Sequence, residues 1–386
     1  MRVFILAGEV SGDLLGGALM SGLKQLCPDI SFEGIGGAAM QAQGLTSRFP
    51  MEELSVMGLA EVLPKYFHLK RRIAETAQAV IDMQPDVLIT IDSPDFSLRV
   101  AKLVKAGSDI RTVHYVAPSV WAWRAGRAAK MAKVIDHVLA LLPFEPPYMT
   151  AEGMDCDFVG HPIAAKPVAR DKDVADMRAR LGLDDAPYLL VLPGSRRSEV
   201  ARLAPIFGLA LHQIAKTHPD LRFVLPVATP VTDLINESVA NWPVRVTLVS
   251  ASDDPDGNMK LAAFKGAKAA LAASGTVSLE LAASDTPMVI AYTFNWLTLQ
   301  IMKRMIRIDT VTLVNLVSET RSVPECLGAD CTPDQIAAAM TEVMANPTAQ
   351  HEAMRLTMER LGRGAEDPGL RAARAVLARL PGSVDG

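Results

Sequence analysis

The sequence lacks the cysteine motifs of metal-binding and redox proteins, the long apolar runs of membrane-spanning proteins and the signal peptide of secreted proteins. It has only four cysteines, and their spacing matches neither a zinc site nor a CxxC motif, which is typical of a reduced cytosolic compartment. No apolar run approaches the roughly 20 residues that are needed to span a bilayer. The N-terminus is a short apolar segment without the cleavage site of a signal peptide. These absences predict a cytoplasmic protein that is not integral to a membrane, which does not exclude lying on one.

The charge of the chain is nearly balanced, with 39 basic residues against 43 acidic residues and a net charge of −4. Such a chain is not a general polyanion binder, so we expect no nucleic acid partner. Apolar residues make up 49% of the chain and charged residues 21%, as in a folded globular protein. A length of 386 residues exceeds one typical hydrophobic core, so two domains are expected.

Continuous apolar segments alternate with helix-like segments, which predicts an α/β fold with parallel, doubly wound sheets. The predicted strands of the first half are Val3–Ala7, Ser31–Ile35, Val87–Ile91, Thr112–Val116, Val138–Leu142 and Asp157–Val159. Those of the second half are Tyr188–Leu192, Arg222–Pro226, Val244–Leu248, Ala269–Ala273 and Pro287–Ala291. We expect Rossmann-like domains at 1–165 and 166–345, and C-terminal helices at 346–386 that pack on the first domain or on a partner protomer.

Two loops of small residues in the second half are candidates for binding a nucleoside diphosphate. Each leaves a predicted strand and opens a predicted helix, so backbone N–H groups and a helix N-terminus are available to phosphate. The first loop adds Arg196, whose planar guanidinium suits a diphosphate, and the second adds Glu280, whose carboxylate suits ribose hydroxyls. The candidate nucleotide-binding residues of these loops are Gly194, Ser195, Arg196, Ser274, Gly275, Thr276 and Glu280.

Candidates for catalysis and for a second ligand lie in the first half, at the carboxyl ends of predicted strands, where ligands bind in such sheets. Asp92 and Asp95 follow the strand Val87–Ile91, and a carboxylate at this place can act in a cleft. The alternative is that both cap the following helix. Aromatic and polar residues of three further motifs suit a sugar phosphate or an acyl ligand, or else serve packing. They are Gly8, Glu9, Ser11, Gly12, His114, Ser119, Trp121, Trp123, Arg124 and His161.

Apolar and basic residues alternate between Ala60 and Ile73, which is the composition of a surface that lies on anionic lipid. Residues 295–307 repeat the pattern. The alternative is an amphipathic helix that packs on the core with solvated charges. The candidate membrane-facing residues are Val62, Leu63, Tyr66, Phe67, Leu69, Lys70, Arg71 and Arg72.

The order of the motifs resembles that of the lipid-A-disaccharide synthase family. The segments GEVSGD, SVMG, IDSPDF, HYVAPSVWAWR, LPFE, VGHP, LPGSR, SGTVSLE and NLV follow one another between residues 8 and 317. The resemblance covers residues 1 to about 330. It implies the GT-B fold, in which two Rossmann-like domains face a cleft.

The resemblance implies an inverting glycosyltransferase that joins UDP-2,3-diacylglucosamine to 2,3-diacylglucosamine 1-phosphate (lipid X) and releases UDP. It implies that Asp92 is the catalytic aspartate and that Asn315 joins Arg196 and Glu280 in the nucleotide site. It also implies a peripheral position on the cytoplasmic face of the inner membrane, and a homodimer that exchanges C-terminal segments. No cofactor and no metal are expected, because Arg196 and the two helix N-termini can balance the diphosphate charge.

Two other functions remain open at this point. Another GT-B enzyme acting on UDP-N-acetylglucosamine, such as the peptidoglycan glycosyltransferase or an epimerase, has the same two halves. An epimerase needs no lipid-facing surface, which separates it from a lipid glycosyltransferase. A membrane-associated nucleotide-binding scaffold would bind nucleotide but would release no UDP from lipid substrates.

Overall fold

The computed structural model describes residues 1–54, 59–122, 126–293 and 309–380, with the backbone alone for 59–66. The chain divides into two compact units. The first unit is formed by Met1–Ala165 with the C-terminal segment from Gly364, and the second by Lys166–Arg363. In the described residues, each unit contains one six-stranded sheet surrounded by helices. The predicted α/β fold with two parallel-sheet domains is confirmed.

The sheet of the first unit is parallel throughout its described pairs, in the order β2-β1-β3-β4-β5-β6. Its strands are β1 Arg2–Ala7, β2 Ser31–Ile35, β3 Val87–Ile91, β4 Arg111–Tyr115, β5 His137–Ala140 and β6 Asp155–Phe158. Its first helices are α1 Val10–Leu26, α2 Ala38–Ala42, α3 Leu59–Met83, α4 Pro94–Gly107, α5 Gly126–Met131, α6 Pro146–Thr150 and α7 Pro162–Ala165. All five residues of β3 are buried, because helices cover both faces of a central parallel strand.

The sheet of the second unit is also parallel, in the order β12-β11-β10-β7-β8-β9. Its strands are β7 Tyr188–Leu192, β8 Arg222–Val227, β9 Thr247–Ser250, β10 Ala269–Ala273, β11 Met288–Tyr292 and β12 Glu325–Leu327. The helices described in this unit are α8 Asp171–Leu181, α9 Arg197–Thr217, α10 Thr232–Ala240, α11 Asn258–Lys265, α12 Val277–Ala283, α13 Leu313–Ser318, α14 Pro333–Ala345 and α15 Thr348–Arg360. The strands β7 and β10 are entirely buried at its centre.

The C-terminal helices do not form the single segment 346–386 that the sequence predicts. Helix α15 belongs to the second unit, where the Gln350 side chain bonds both the N–H (2.8 Å) and the carbonyl (3.0 Å) of Met288. The last described helix, α16 Pro368–Ala378, packs on α1 in the first unit. A Cβ at Gly22 would lie 2.7 Å from the Gly369 carbonyl oxygen, so this packing requires glycine.

Some element boundaries also differ from the prediction. The sequence predicts helices Asp13–Leu26 and Ile73–Met83, whereas helix α1 begins at Val10, because the Asp13 N–H already bonds the Glu9 carbonyl at 2.9 Å. Helix α3 extends from Leu59, not from Ile73. The short edge strand β12 was not predicted, because three residues carry too little pattern to indicate a strand.

Candidate functional site

A cavity of about 600 Å³ lies at the carboxyl ends of β7, β8, β9 and β10 in the second unit. The two small-residue loops predicted from the sequence both line it. The predicted residues that meet here are Gly194, Ser195, Arg196, Ser274, Gly275, Thr276 and Glu280. The structure therefore brings both loops to one site, because parallel strands end at the same edge of their sheet.

The first loop turns at Gly194 and leads into helix α9. The φ of Gly194 is +120°, and a Cβ there would lie 2.9 Å from the Glu199 side chain, so only glycine fits. Helix α9 runs for 21 residues from Arg197, and its N-cap residue Arg196 makes no side-chain capping bond. The N-terminus of a helix of this length favours an anion.

The guanidinium of Arg196 stands at the mouth of the cavity. It is 3.1 Å from the Glu199 carboxylate, yet 70% of the Arg196 side chain is exposed, whereas only 12% of the Glu199 side chain is. The Tyr292 hydroxyl lies 3.5 Å from the same carboxylate, and burial together with this negative charge raises the pKa of Tyr292. Glu199 thus holds Arg196 near the loop, while the exposed N–H groups of the Arg196 guanidinium remain accessible to a ligand.

The second loop leads into helix α12, which carries Glu280. This helix has seven residues, so its N-terminus contributes less to anion binding than that of α9. The Glu280 carboxylate is 2.9 Å from Lys260 Nζ, and Lys260 also lines the cavity. Lys260 was not predicted from the sequence, because nothing in the spacing of residues in helix α11 indicates that its side chain meets Glu280.

Apolar residues form the wall of the cavity between the ends of β8 and β9. Pro226, Val227 and Ala228 come from the end of β8, and Val249 comes from β9. The ring of Phe264, on helix α11, also lines the cavity. The site therefore combines an exposed guanidinium, a carboxylate and an apolar wall.

Asn315 does not line this cavity, in contrast to the expectation from the resemblance. It is buried, and its Nδ2 donates to Thr310 Oγ1 at 3.2 Å and to the Val323 carbonyl at 2.9 Å. Its Oδ1 accepts from the Val323 N–H at 3.0 Å. These bonds hold the segment between Thr310 and Val323, so the amide serves the fold.

The edge of the first sheet contains three non-glycine residues with positive φ. Asp92 (φ +49°) and Ser93 (φ +44°) follow β3, and Val116 (φ +86°) follows the neighbouring strand β4. A β-branched residue with positive φ is a true outlier, and such strain collects at functional sites. Gly8, after β1, lies against this turn: its Cβ would be 2.5 Å from Ser93 Oγ.

Asp92 does not cap helix α4, which was the alternative to a functional role. The N-cap residue of α4 is Ser93, and no side chain caps this helix. The Asp92 carbonyl accepts from Ser97 Oγ at 2.8 Å, whereas its carboxylate accepts no hydrogen bond within the described part of the chain. Asp95 is exposed in the first turn of α4. The half-buried Asp92 carboxylate is thus available to a ligand.

The Gly8–Asp13 motif divides between surface and core. Glu9 and Ser11 are exposed, and Gly12 is buried against β1 and β3. The carboxylate of Asp13 accepts from the N–H groups of Gly37 (2.7 Å), Ala39 (2.8 Å) and Met40 (3.1 Å), and so caps helix α2. This Asp positions the motif and is not open to ligand.

His114 is a core residue, so its assignment to the cleft is not supported. It lies in β4, is only 2% exposed, and its Nδ1 is 2.7 Å from Thr90 Oγ1 on β3. Burial lowers the pKa of His114 to about 4. The ring is therefore neutral at physiological pH and packs between strands.

Trp121 belongs to a small cluster after β5, in which Glu145 is buried and Trp121 and Phe144 are half-buried. Its Nε1 donates to Glu145 Oε1 at 3.3 Å, and its ring meets Phe144 edge to face at 5.3 Å. Burial raises the pKa of Glu145 to about 7, and this residue was not predicted from the sequence. Ser119 is exposed before this cluster. Trp123 and Arg124 lie outside the described residues.

His161 follows β6 at the same edge of the first sheet. Its Nδ1 accepts from the Ile163 N–H at 3.1 Å, so the ring fixes the turn that opens helix α7. His161 is half-buried, and a ligand contact remains a prediction.

The described side chains of the predicted membrane surface differ in their exposure. Phe67 is 79% exposed, Lys70 and Arg71 are exposed, and Leu69 is half-buried. Arg72 instead bonds both oxygens of Glu53 and stacks on Phe49 at 4.4 Å. The side chains of Val62, Leu63 and Tyr66, and the whole of 295–307, lie outside the described residues.

No described helix is long and apolar enough to cross a membrane. Within the described ranges, no three His, Cys, Asp or Glu side chains are grouped so as to hold a metal ion.

Comparison with known proteins identifies sequence relatives over nearly the whole chain. The family described as lipid-A-disaccharide synthetase matches residues 3–375. The lipid-A-disaccharide synthase of Ruegeria pomeroyi is 69% identical over 389 residues, which cover 99% of this chain and 96% of that protein. The enzyme of the same name from Rhodospirillum centenum is 46% identical, with 98% and 94% covered.

Comparison with solved structures shows the fold alone. The UDP-GlcNAc 2-epimerase of Neisseria meningitidis, bound to UDP-GlcNAc, superimposes with a TM-score of 0.65 at 13% identity. The alignment covers 98% of this chain and 99% of the epimerase. The likeness supports the GT-B fold, and the much higher identity to the synthases does not favour an epimerase.

Proposed function

The chain belongs to the lipid-A-disaccharide synthase family, whose members are glycosyltransferases of lipid A biosynthesis, and we propose the following reaction for it. The enzyme transfers diacylglucosamine from UDP-2,3-diacylglucosamine to the 6-hydroxyl of 2,3-diacylglucosamine 1-phosphate (lipid X). The products are the β-1,6-linked disaccharide 1-phosphate and UDP. The anomeric configuration inverts in a single displacement.

The cavity of the second unit binds the UDP portion of the donor in this proposal. The observation that carries it is the meeting of Arg196 and Glu280 around a cavity of about 600 Å³. The diphosphate lies on the Gly194 loop, at the N-terminus of α9, with Arg196 on its oxygens. Glu280 accepts from the ribose hydroxyls, and the uracil lies on the apolar wall. The solved fold relative with bound UDP-GlcNAc supports a nucleotide-sugar donor.

The strained edge of the first sheet supplies the base in this proposal. The acceptor hydroxyl must lose a proton as it attacks, and the Asp92 carboxylate has no competing hydrogen bond within the described residues. Asp92 and Ser93 both have a left-handed backbone, and Ser93 rather than Asp92 is the N-cap residue of α4, so capping of this helix does not engage the Asp92 carboxylate. The acceptor sugar is held by the loops after β1, β4 and β6.

The proposed reaction needs no metal ion. The charge that develops on the leaving UDP is balanced by the Arg196 guanidinium and by the α9 N-terminus, which together can replace a divalent cation. No other cofactor is needed for a displacement between two sugars.

The acyl chains of both substrates connect the enzyme with a membrane surface. We propose that the exposed face of α3, with Phe67, Lys70 and Arg71, lies on anionic lipid at the cytoplasmic face of the inner membrane. In a homodimer that exchanges C-terminal segments, α16 of one protomer would take the place on α1 that it occupies here within one chain.

The direct test supplies both lipid substrates to the purified full chain and measures released UDP, with and without EDTA. We expect release that requires both lipids and that proceeds in EDTA at nearly the rate measured with Mg²⁺. UDP-N-acetylglucosamine alone should give no epimer and no UDP. Absence of release with both lipids would contradict the reaction, and a requirement for a divalent ion would contradict the metal-independent mechanism.

A further inference from the structure

The ion pair between Lys260 and Glu280 is the feature of the cavity that the reaction does not explain. Lys260 Nζ is 2.9 Å from Glu280 Oε2, and the two side chains are 43% and 30% exposed. Both residues line the cavity. An ion pair on an open surface contributes little, but a pair inside a binding cavity can fix where a ligand-binding group points.

The backbone holds Lys260 firmly at the start of helix α11. The Asp254 carboxylate accepts from the N–H groups of Met259 (2.9 Å) and Lys260 (2.8 Å), and Gly257 turns the chain into the helix with a φ of +72°. The Lys260 ammonium also lies 5.2 Å from the centre of the Phe264 ring, one turn along the helix. The ammonium is therefore held between an aromatic face and the Glu280 carboxylate.

This arrangement leaves the two carboxylate oxygens of Glu280 unequal. Oε2 accepts from Lys260, whereas Oε1 accepts no hydrogen bond within the described residues. A carboxylate fixed at one oxygen presents the other in a single direction, so the ligand does not need to order it on binding. A hydrogen bond from a hydroxyl to a carboxylate is charge-assisted and is therefore stronger than a bond between two neutral groups.

We propose that Lys260 is a positioning residue that orients Glu280 toward the ribose and thereby makes the site select ribonucleotides over 2′-deoxyribonucleotides. This inference rests on the proposed nucleotide site. It adds a specificity determinant on a helix that carries none of the sequence motifs. Because Lys260 acts through Glu280, replacing either residue should remove the same preference for ribonucleotides.

The test is titration calorimetry of the full chain with UDP and with 2′-deoxy-UDP, and the readout is the ratio of the two affinities. The loss of one positive charge weakens both ligands alike, so it cancels in the ratio. We expect the unaltered protein to prefer UDP by roughly tenfold or more, as for a charge-assisted bond to a hydroxyl. Lys260→Met and Glu280→Gln should each reduce the preference below about threefold, and the double variant should reduce it no further.

Two variants serve as controls. Lys265→Met removes the same charge from the exposed last turn of the same helix and should leave the ratio unchanged. Lys260→Arg keeps the charge and should retain most of the preference, which also separates the effect from misfolding. An unchanged ratio in Lys260→Met, with both ligands still bound, would overturn the inference and leave the proposed function intact. Failure of the unaltered protein to bind UDP would overturn both.

Discussion

Apart from Asn315, the candidate residues of the second unit surround one cavity, whereas those of the first unit are spread along a sheet edge and serve several purposes. In the second unit, Arg196 and Glu280 each pair with another residue that lines the same cavity. In the first unit, Asp92 has a carboxylate without a hydrogen bond in the described part of the chain, while His114 is buried in the core. We therefore propose a preformed binding site in the second unit, and in the first unit a sheet edge at which backbone strain, rather than an enclosed cavity, indicates the functional residue.

The largest expected effect concerns Asp92, the residue that we propose as the catalytic base. Asp92→Asn should reduce turnover by about 10²–10⁴-fold, because an amide cannot take the acceptor proton. UDP release with both lipid substrates measures the loss. The matched change Asp95→Asn, in the exposed first turn of α4, should alter turnover by less than about threefold. A small loss in Asp92→Asn would return this carboxylate to a structural role.

An intermediate effect is expected for His114, which tests whether a titratable residue of the first unit serves the fold. Its pKa is about 4 in the folded chain, against about 6.5 when unfolded, so the unfolded state binds the extra proton between these values. The free energy of unfolding should therefore fall as the pH falls from 6.5 toward 4, by about 3 kcal/mol from this residue.

Urea unfolding at pH 7, 6 and 5 measures this dependence. His114→Asn keeps a polar group near Thr90 Oγ1 but does not titrate, so its stability should fall less steeply with acid than that of the unaltered chain. Equal slopes would show that His114 does not contribute to acid sensitivity.

The smallest expected effect concerns the proposed membrane surface on helix α3 and distinguishes two adjacent arginines. Arg71 is 64% exposed, so Arg71→Gln should weaken partitioning onto anionic vesicles at low salt by about 1 kcal/mol and leave stability unchanged. Arg72 bonds Glu53, and its hydrogen bonds lower the pKa of that carboxyl. Arg72→Gln should instead lower stability by about 1–2 kcal/mol.

Vesicle co-sedimentation and urea unfolding of both variants separate the two effects. Phe67→Ser should weaken partitioning on neutral as well as anionic vesicles, because it removes exposed apolar area rather than charge. Identical behaviour of the two arginine variants in both assays would contradict the division.

The sequence predicts the parts of this molecule that depend on local pattern. Buried strands such as Val87–Ile91 and Ala269–Ala273 are recovered to the residue, because a continuous apolar run between turns has few alternative structures. The small-residue loops are placed correctly because each must leave a strand and open a helix. Contacts between side chains that are far apart in the sequence leave no local pattern. The ion pair of Lys260 with Glu280 therefore could not be predicted.

Side-chain roles at the first sheet edge were harder to predict, because a motif does not say which of its residues face inward. His114 and Trp121 come from one motif, yet the first pairs with Thr90 in the core and the second with Glu145. In the second unit, the family resemblance implies that Asn315 binds the nucleotide, but its side-chain amide bonds the backbone of Val323 instead. Only the three-dimensional arrangement distinguishes a polar residue that binds a ligand from one that satisfies a buried backbone.

Calorimetric titration of UDP into the full chain, its Arg196→Ala variant and its Asp92→Asn variant tests most directly whether the two units have separate tasks. The account predicts that Arg196→Ala weakens UDP binding by about 2–3 kcal/mol, through a lost charge-assisted contact to the diphosphate. Asp92→Asn should bind UDP with nearly unchanged affinity. Unchanged affinity in Arg196→Ala, or a comparable loss in Asp92→Asn, would contradict the assignment of nucleotide binding to the second unit and proton transfer to the first.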